Sequence, residues 1–267
     1  MNTPLNTQMS RRRLAAQTLL LTGGTFALKI LAYVKLAILA SFFGTTSQND
    51  AYVFALLLPS LIANVMTNSA APALLPLFAD LLFQGKREDA WRMAWTMVVS
   101  VTLILTLAFL GVAVFYGRVV APLASGFSPE TRQICTQLFY IAGPSMILAS
   151  VSACLRSLFQ CLERFAVMTI TQIVGLIVGI ISLIALKPAY GIHAAALAVT
   201  LNYLAEVLFM IPFLWKEGAF RFFHIGVSSR VVEASKLFLM YMVSSAVMQI
   251  NTTIDRWLAS SLAESSI

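Results

Sequence analysis

Charge is scarce in this 267-residue chain: 11% of its residues are Asp, Glu, Lys or Arg, against 59% that are hydrophobic. A water-soluble domain of this size cannot hide so much apolar surface, which excludes that class. Histidine and cysteine are also rare, at two and three residues. His193 and His224 stand apart from Cys135, Cys154 and Cys161 in sequence, so no metal-ligand spacing exists. The three cysteines share one apolar span, and residues seven apart on one helix are too distant to bridge. A glycine-rich phosphate loop and a serine nucleophile elbow are missing as well. These gaps leave nothing that supports an enzyme, and no cofactor or metal is expected.

Long apolar runs take the place of those motifs, with a mean hydropathy of +0.85. They cover residues 18–43, 51–83, 93–116, 134–162, 166–186, 192–215 and 237–262. Each is long enough for a membrane helix. The expected class is therefore all-α: a polytopic integral membrane protein of about seven transmembrane helices. The second run is too long for a simple crossing, and Pro59, Pro72 and Pro76 predict kinks or a break within it.

The net charge of +7 follows the membrane, not a nucleic acid. Arg11, Arg12 and Arg13 precede the first span, Lys86, Arg87 and Arg92 follow the second, and Arg164 follows the fourth. Lys216, Arg221, Arg230 and Lys236 surround the gap after the sixth. The opposite side carries Arg118, Arg132, Lys187 and Arg256. This asymmetry predicts a cytoplasmic N-terminus and, after seven crossings, an external C-terminus. Ser10-Arg11-Arg12-Arg13-Leu14 superficially resembles a twin-arginine signal, but the apolar run continues past Gly23-Gly24 and six more spans follow. A retained first helix is the expectation. The organisation is a cytoplasmic segment 1–17, a six-helix membrane lobe 18–215, a cytoplasmic linker 216–236 and a seventh helix 237–267.

Polar residues inside the spans carry the functional argument. Lys29 and Lys35 lie in the first run, six positions apart and about 120° around a helix. A cation at mid-membrane costs about 2.5–3.5 kcal/mol on the insertion scale and needs compensation. Both lysines therefore suit one wide cavity that accepts an anion, unless each snorkels or pairs with a carboxylate. Asp50 stands at the outer mouth between the first two helices, free to pair with a lysine or to cap the second helix. Asn64 and Asn68 share a helical face beside Ser69, suited to cavity lining or to helix–helix hydrogen bonding. Glu206 lies mid-span, four residues after Asn202, as a counter-charge to a lysine or as a coupling-ion site. Gln160, Glu163 and Arg164 read as a solvated helix end, and Asp255-Arg256 as a local ion pair at the outer interface.

An ordered set of short motifs runs through these spans. It begins with Ala32-Tyr33-Val34-Lys35, Phe43-Gly44, Asn49-Asp50-Ala51-Tyr52 and Leu58-Pro59-Ser60-Leu61. It continues with Pro76, Ser125-Gly126-Phe127, Glu163-Arg164-Phe165 and Ala196-Leu197-Ala198-Val199-Thr200. It closes with Pro212-Phe213-Leu214-Trp215-Lys216-Glu217-Gly218, Gln249, Asp255-Arg256 and Leu258-Ala259-Ser260. From about residue 18 to the end, the set resembles MurJ/MviN-type lipid II flippases of the MOP superfamily.

The resemblance implies a flippase in the bacterial cytoplasmic membrane that translocates an undecaprenyl-diphosphate-linked saccharide by alternating access. It places Lys29 and Lys35 where the family carries first-helix arginines, and Asp50 on the aspartate of its D-A-F motif. The fold it implies is one MOP-type six-helix lobe plus the first helix of the second. Departures are specific. Two lysines replace the arginines and lose their bidentate fork. Ala63-Asn64 stands where an arginine pair is usual, Leu36 where an acid often follows, and Asn202-Tyr203 with Glu206 where a glycine pair and a glutamine are common. A less cationic cavity keeps exopolysaccharide or O-antigen export open. So does a multidrug-type exporter with Glu206 as coupling site, and so does a non-transporting remnant. The seven spans amount to one lobe and one helix, without an internal repeat to supply another, and the expectation is a truncated chain: a fragment, one half of a split transporter or a homodimerising half. The partners expected are a lipid-linked saccharide, membrane lipids, and a second lobe from another chain or a homodimer.

Overall fold

The computed structural model describes residues 4–44, 46–123 and 127–263. The described residues include no strand and form eight α-helices. They are α1 (Pro4–Phe43), α2 (Ser47–Phe83), α3 (Arg87–Leu123), α4 (Pro129–Ala142), α5 (Pro144–Cys161), α6 (Phe165–Tyr190), α7 (His193–Lys216) and α8 (Ser229–Ala263). A short 3-10 helix, Ala219–Phe222, lies between α7 and α8. Counting α4 and α5 as one crossing, seven segments among the described residues are long and apolar enough to span a bilayer. The protein is a multi-pass membrane protein.

Three boundaries differ from the hydropathy reading. The helix of the first span begins at Pro4, because polar residues ahead of an apolar run continue a helix without a stop signal. The fourth span is two helices, not one. Pro144 has no N–H to return to Tyr140, so the helical hydrogen bonding is interrupted at Gly143, whose backbone stays helical and whose added Cβ would run into the Phe109 ring. The linker after the sixth crossing is shorter than 216–236, since α8 starts at Ser229. Ser125 and Gly126, which belong to one of the family-like motifs, lie outside the described residues.

Helix α2 is continuous through all three prolines, so the expected break does not occur. It survives because its faces are held by α5, α8, α4 and α3, which packs against it on several sides. Ala51, Ala55, Ala63, Ala70 and Ala73 bring those neighbours close. Two apolar cores result. One gathers Phe78, Trp91 and Phe159 near the end that carries the α2–α3 turn. Phe78 and Trp91 meet edge to face there at 5.3 Å. The other gathers Tyr52, Tyr116 and Phe139 near the opposite end, where Tyr116 stacks on Phe139 at 3.7 Å.

Helices α6 and α7 pack together extensively. Gly175 and Gly179, four apart, let them do so. A Cβ on Gly175 would lie 2.8 Å from the Asn202 carbonyl oxygen, and one on Gly179 would lie 3.1 Å from that of Ala198. Small residues at this spacing let helix backbones approach in a membrane, where apolar burial alone gives helices no reason to associate.

A candidate substrate cavity between the first two helices

Helix α1 packs chiefly on α6, whereas α2 packs on α5 and α8. The two therefore diverge from the turn at Gly44, where φ is +52°, a conformation that glycine adopts without strain. A wedge opens between them. Its depth is set by helix rise: Lys35 stands about 12 Å and Lys29 about 21 Å from the Phe43 end.

Lys35 lies half-buried in a niche of about 200 Å³ lined by Tyr52, Leu183, Ala195, Ala198 and Val199. Lys29 is exposed and lines a second, shallower recess with Thr22, Thr25 and Phe26. The two lysines thus sit in separate recesses along one helix. Neither has an ion-pair partner among the described residues. An unpaired cation held inside a membrane span is chemically a standing demand for an anion.

Asp50 does not cap α2. Thr46 does: its Oγ1 accepts from the Asn49 amide at 3.4 Å, and Asp50 sits in the first turn with its side chain exposed. A carboxylate there still favours the positive end of the helix dipole. Asn64 and Asn68 are exposed on α2, in a stripe with Leu57 and Leu61. Pro72 cannot donate to the Asn68 carbonyl, so that oxygen adds polarity to the same part of the helix.

Glu206 belongs elsewhere. It is 2% exposed and takes a hydrogen bond from Arg156 of α5, not from a lysine of α1. Arg156 also donates to Ser152 Oγ at 2.8 Å. Packing is the cause: α1 meets α6, so α7 presents Glu206 to α5 instead. Arg156 was missed by sequence reasoning. The signal available was a lone arginine within an apolar run that also lacks a local acid. Arg164 is also more than a solvated helix end, since its Nε donates to Glu217 at 2.9 Å. The side chains of Asp255 and Arg256 lie outside the described ones.

Residues 39–267 match a family model described as lipid II flippase MurJ. A probable lipid II flippase MurJ from Thermotoga maritima is 27% identical over 256 residues, covering 94% of this chain and 50% of the relative. One from Aquifex aeolicus is 22% identical over 252 residues, with the same two coverages of 94% and 50%. Among solved structures, a lipid II flippase MurJ in an inward closed conformation matches with a TM-score of 0.70 at 21% identity, over 89% of this chain and 50% of that one. The Vibrio cholerae MATE transporter VcmN in a bent form matches with a TM-score of 0.71 at 16% identity, over 94% of this chain and 57% of that one. These two likenesses show the fold. The chain spans about half the length of the curated relatives it matches.

Proposed function

This chain belongs to the lipid II flippase MurJ family, and from that premise we propose that it forms the cavity-bearing lobe of a flippase for an undecaprenyl-diphosphate-linked saccharide. The substrate is lipid II, and the site is the bacterial inner membrane. The N-terminus lies in the cytoplasm, on the side of Lys86, Arg87, Arg164 and Lys216. Transport runs by alternating access around the wedge between α1 and α2, closed from the other side by a second body.

One observation carries this reading: polar residues line the faces of α1 and α2 that no neighbour covers. Lys29, Asn64 and Asn68 are exposed within membrane spans. On a lipid-facing surface they would lack compensation, so their natural surroundings are water and substrate. A diphosphate that leaves bulk water needs fixed cations in place of its hydration shell. Lys35 in its niche and Lys29 in its own recess supply two such charges, about 12 Å and about 21 Å along α1 from the Phe43 end. Lysine binds as a point charge, not as a fork, which permits the phosphates to pass from one to the other without a fixed bidentate geometry.

The test is complementation of a flippase-depleted strain by the protein expressed from its own gene. Lys35→Ala is expected to abolish rescue at wild-type membrane abundance, and Lys35→Arg to retain it. Full growth of the Lys35→Ala strain would overturn the assignment.

A further inference from the structure

A second cationic pocket lies at the opposite end of the lobe from the Gly44 turn, away from the wedge. It has a volume of about 450 Å³ and is lined by Arg87, Trp215, Lys216, Glu217, Arg221 and Phe222. Three segments build it: the start of α3, the end of α7 and the short 3-10 helix that follows. Glu217 organises the floor. Its Oε1 accepts from Arg164 at 2.9 Å, and Arg87 donates to its backbone oxygen at 2.7 Å and approaches Oε2 at 3.5 Å. One carboxylate is thus shared by two arginines and neutralises one of them. Lys216 and Arg221 have no ion-pair partner among the described residues. Around a single acid the pocket therefore gathers a surplus of positive charge.

Its rim is aromatic and apolar. Trp215 is 73% exposed and lies 6.4 Å from Phe220, which in turn stands 5.2 Å from Trp95. Phe223, 52% exposed, packs against the same Trp95 at 5.2 Å. A site for a soluble anion gains nothing from such a rim. Aromatic side chains beside cations that lack an acidic partner, at the end of membrane spans, instead match the headgroup layer of a bilayer.

We propose that this pocket binds the phosphate of an anionic glycerophospholipid from the leaflet on its own side of the membrane. Lys216 and Arg221 take the phosphate oxygens, with Arg87 held in place by Glu217. Trp215 and Phe223 lie against the glycerol and upper acyl chain. The linker 217–228 is thereby seated on the membrane surface through a lipid as well as through protein contacts. The inference depends on the chain spanning a membrane and not on which substrate crosses in the wedge.

Native mass spectrometry of the detergent-solubilised full chain, titrated with phosphatidylglycerol or phosphatidylcholine, tests it. The wild-type protein is expected to retain one phosphatidylglycerol in preference to phosphatidylcholine. The double variant Lys216→Gln/Arg221→Gln is expected to lose roughly 10- to 30-fold of that preference, at about a fivefold effect per cation near an anionic surface. Lys216→Arg/Arg221→Lys keeps both charges and is expected to keep the preference, which separates charge from folding. Equal retention of the two lipids by the wild type overturns the proposal. So does a double variant that elutes as a monodisperse species and holds phosphatidylglycerol unchanged. Displacement of the lipid by millimolar inorganic phosphate would also overturn it, by identifying a site for soluble anions.

Discussion

Arg156 and Glu206 join α5 to α7 within the membrane-spanning lobe, with 14% and 3% of their side chains exposed. Their neighbours explain why the pair is tolerated. Ser152 accepts a further hydrogen bond from the guanidinium, and Gly175 leaves room for α6 to close over the glutamate from the other side, its added Cβ only 3.2 Å from Glu206 Cβ. Buried charges cost little only when they are paired and their remaining hydrogen-bonding capacity is used.

Removing one partner should therefore be worse than removing both. Arg156→Ala leaves the Glu206 carboxylate unpaired, and breaking such a pair costs about 3–5 kcal/mol. Arg156→Met/Glu206→Leu replaces both with apolar groups of similar volume and should fall near the wild type. Thermal unfolding in detergent measures the difference. Equal stability of the single and double variants would show that the pair is not coupled.

The α6–α7 interface offers a steric counterpart. Gly175→Leu forces a side chain against the Asn202 carbonyl, and overpacking of this kind costs about 1–3 kcal/mol. Gly23→Ala is the internal control, because nothing lies within 4 Å of the added Cβ. It should be neutral or slightly stabilising. Melting temperatures of the two variants should diverge; a harmless Gly175→Leu would mean the helices are not in close contact.

Accessibility distinguishes the wedge from the lipid-facing surface. In a background without Cys135, Cys154 and Cys161, cysteines placed at Lys29, Asn64 and Asn68 should react with a small membrane-impermeant maleimide. Cysteines at Ile177 and Ile181 of α6, which are 40% and 59% exposed, should not. Comparable labelling at all five positions would remove the distinction on which the cavity rests.

Trp95 tests how firmly the linker is held. Its indole N–H donates to the Ala219 carbonyl at 2.9 Å while its ring touches Phe220 and Phe223. Trp95→Phe keeps an aromatic ring and removes the hydrogen bond, a loss of about 1 kcal/mol. Proteolysis within 217–228 should accelerate several-fold while the membrane spans resist as before. An unchanged cleavage rate would mean that the ring contacts alone hold the segment.

The number of crossings and the all-helical class were legible in the sequence, because hydrocarbon tolerates few alternatives to a helix and each run matches a bilayer in length. The break at Pro144 was not, since Met146 and the apolar residues after it continue the hydropathy without interruption. Lys29 and Lys35 announced themselves by their cost. Which helix faces which was hidden, and so were the partners that depend on it. Glu206 was weighed against lysines in α1 when its partner is on α5, and Asp50 was weighed as a cap when Thr46, four residues earlier, holds that position. Short-range patterns read the helices well; pairings across helices depend on packing that no single span contains.

The three prolines of α2 have a mechanical consequence. Pro59, Pro72 and Pro76 each omit one rung from a helix that is otherwise continuous over 37 residues and anchored to four neighbours. At those points flexure breaks no hydrogen bond, because none is present to break. The helix keeps its length while its curvature is soft, in the manner of a notched leaf spring. Because α2 forms one wall of the wedge, a few degrees of flexure at these notches changes the width of the mouth while its contacts with α5 stay closed.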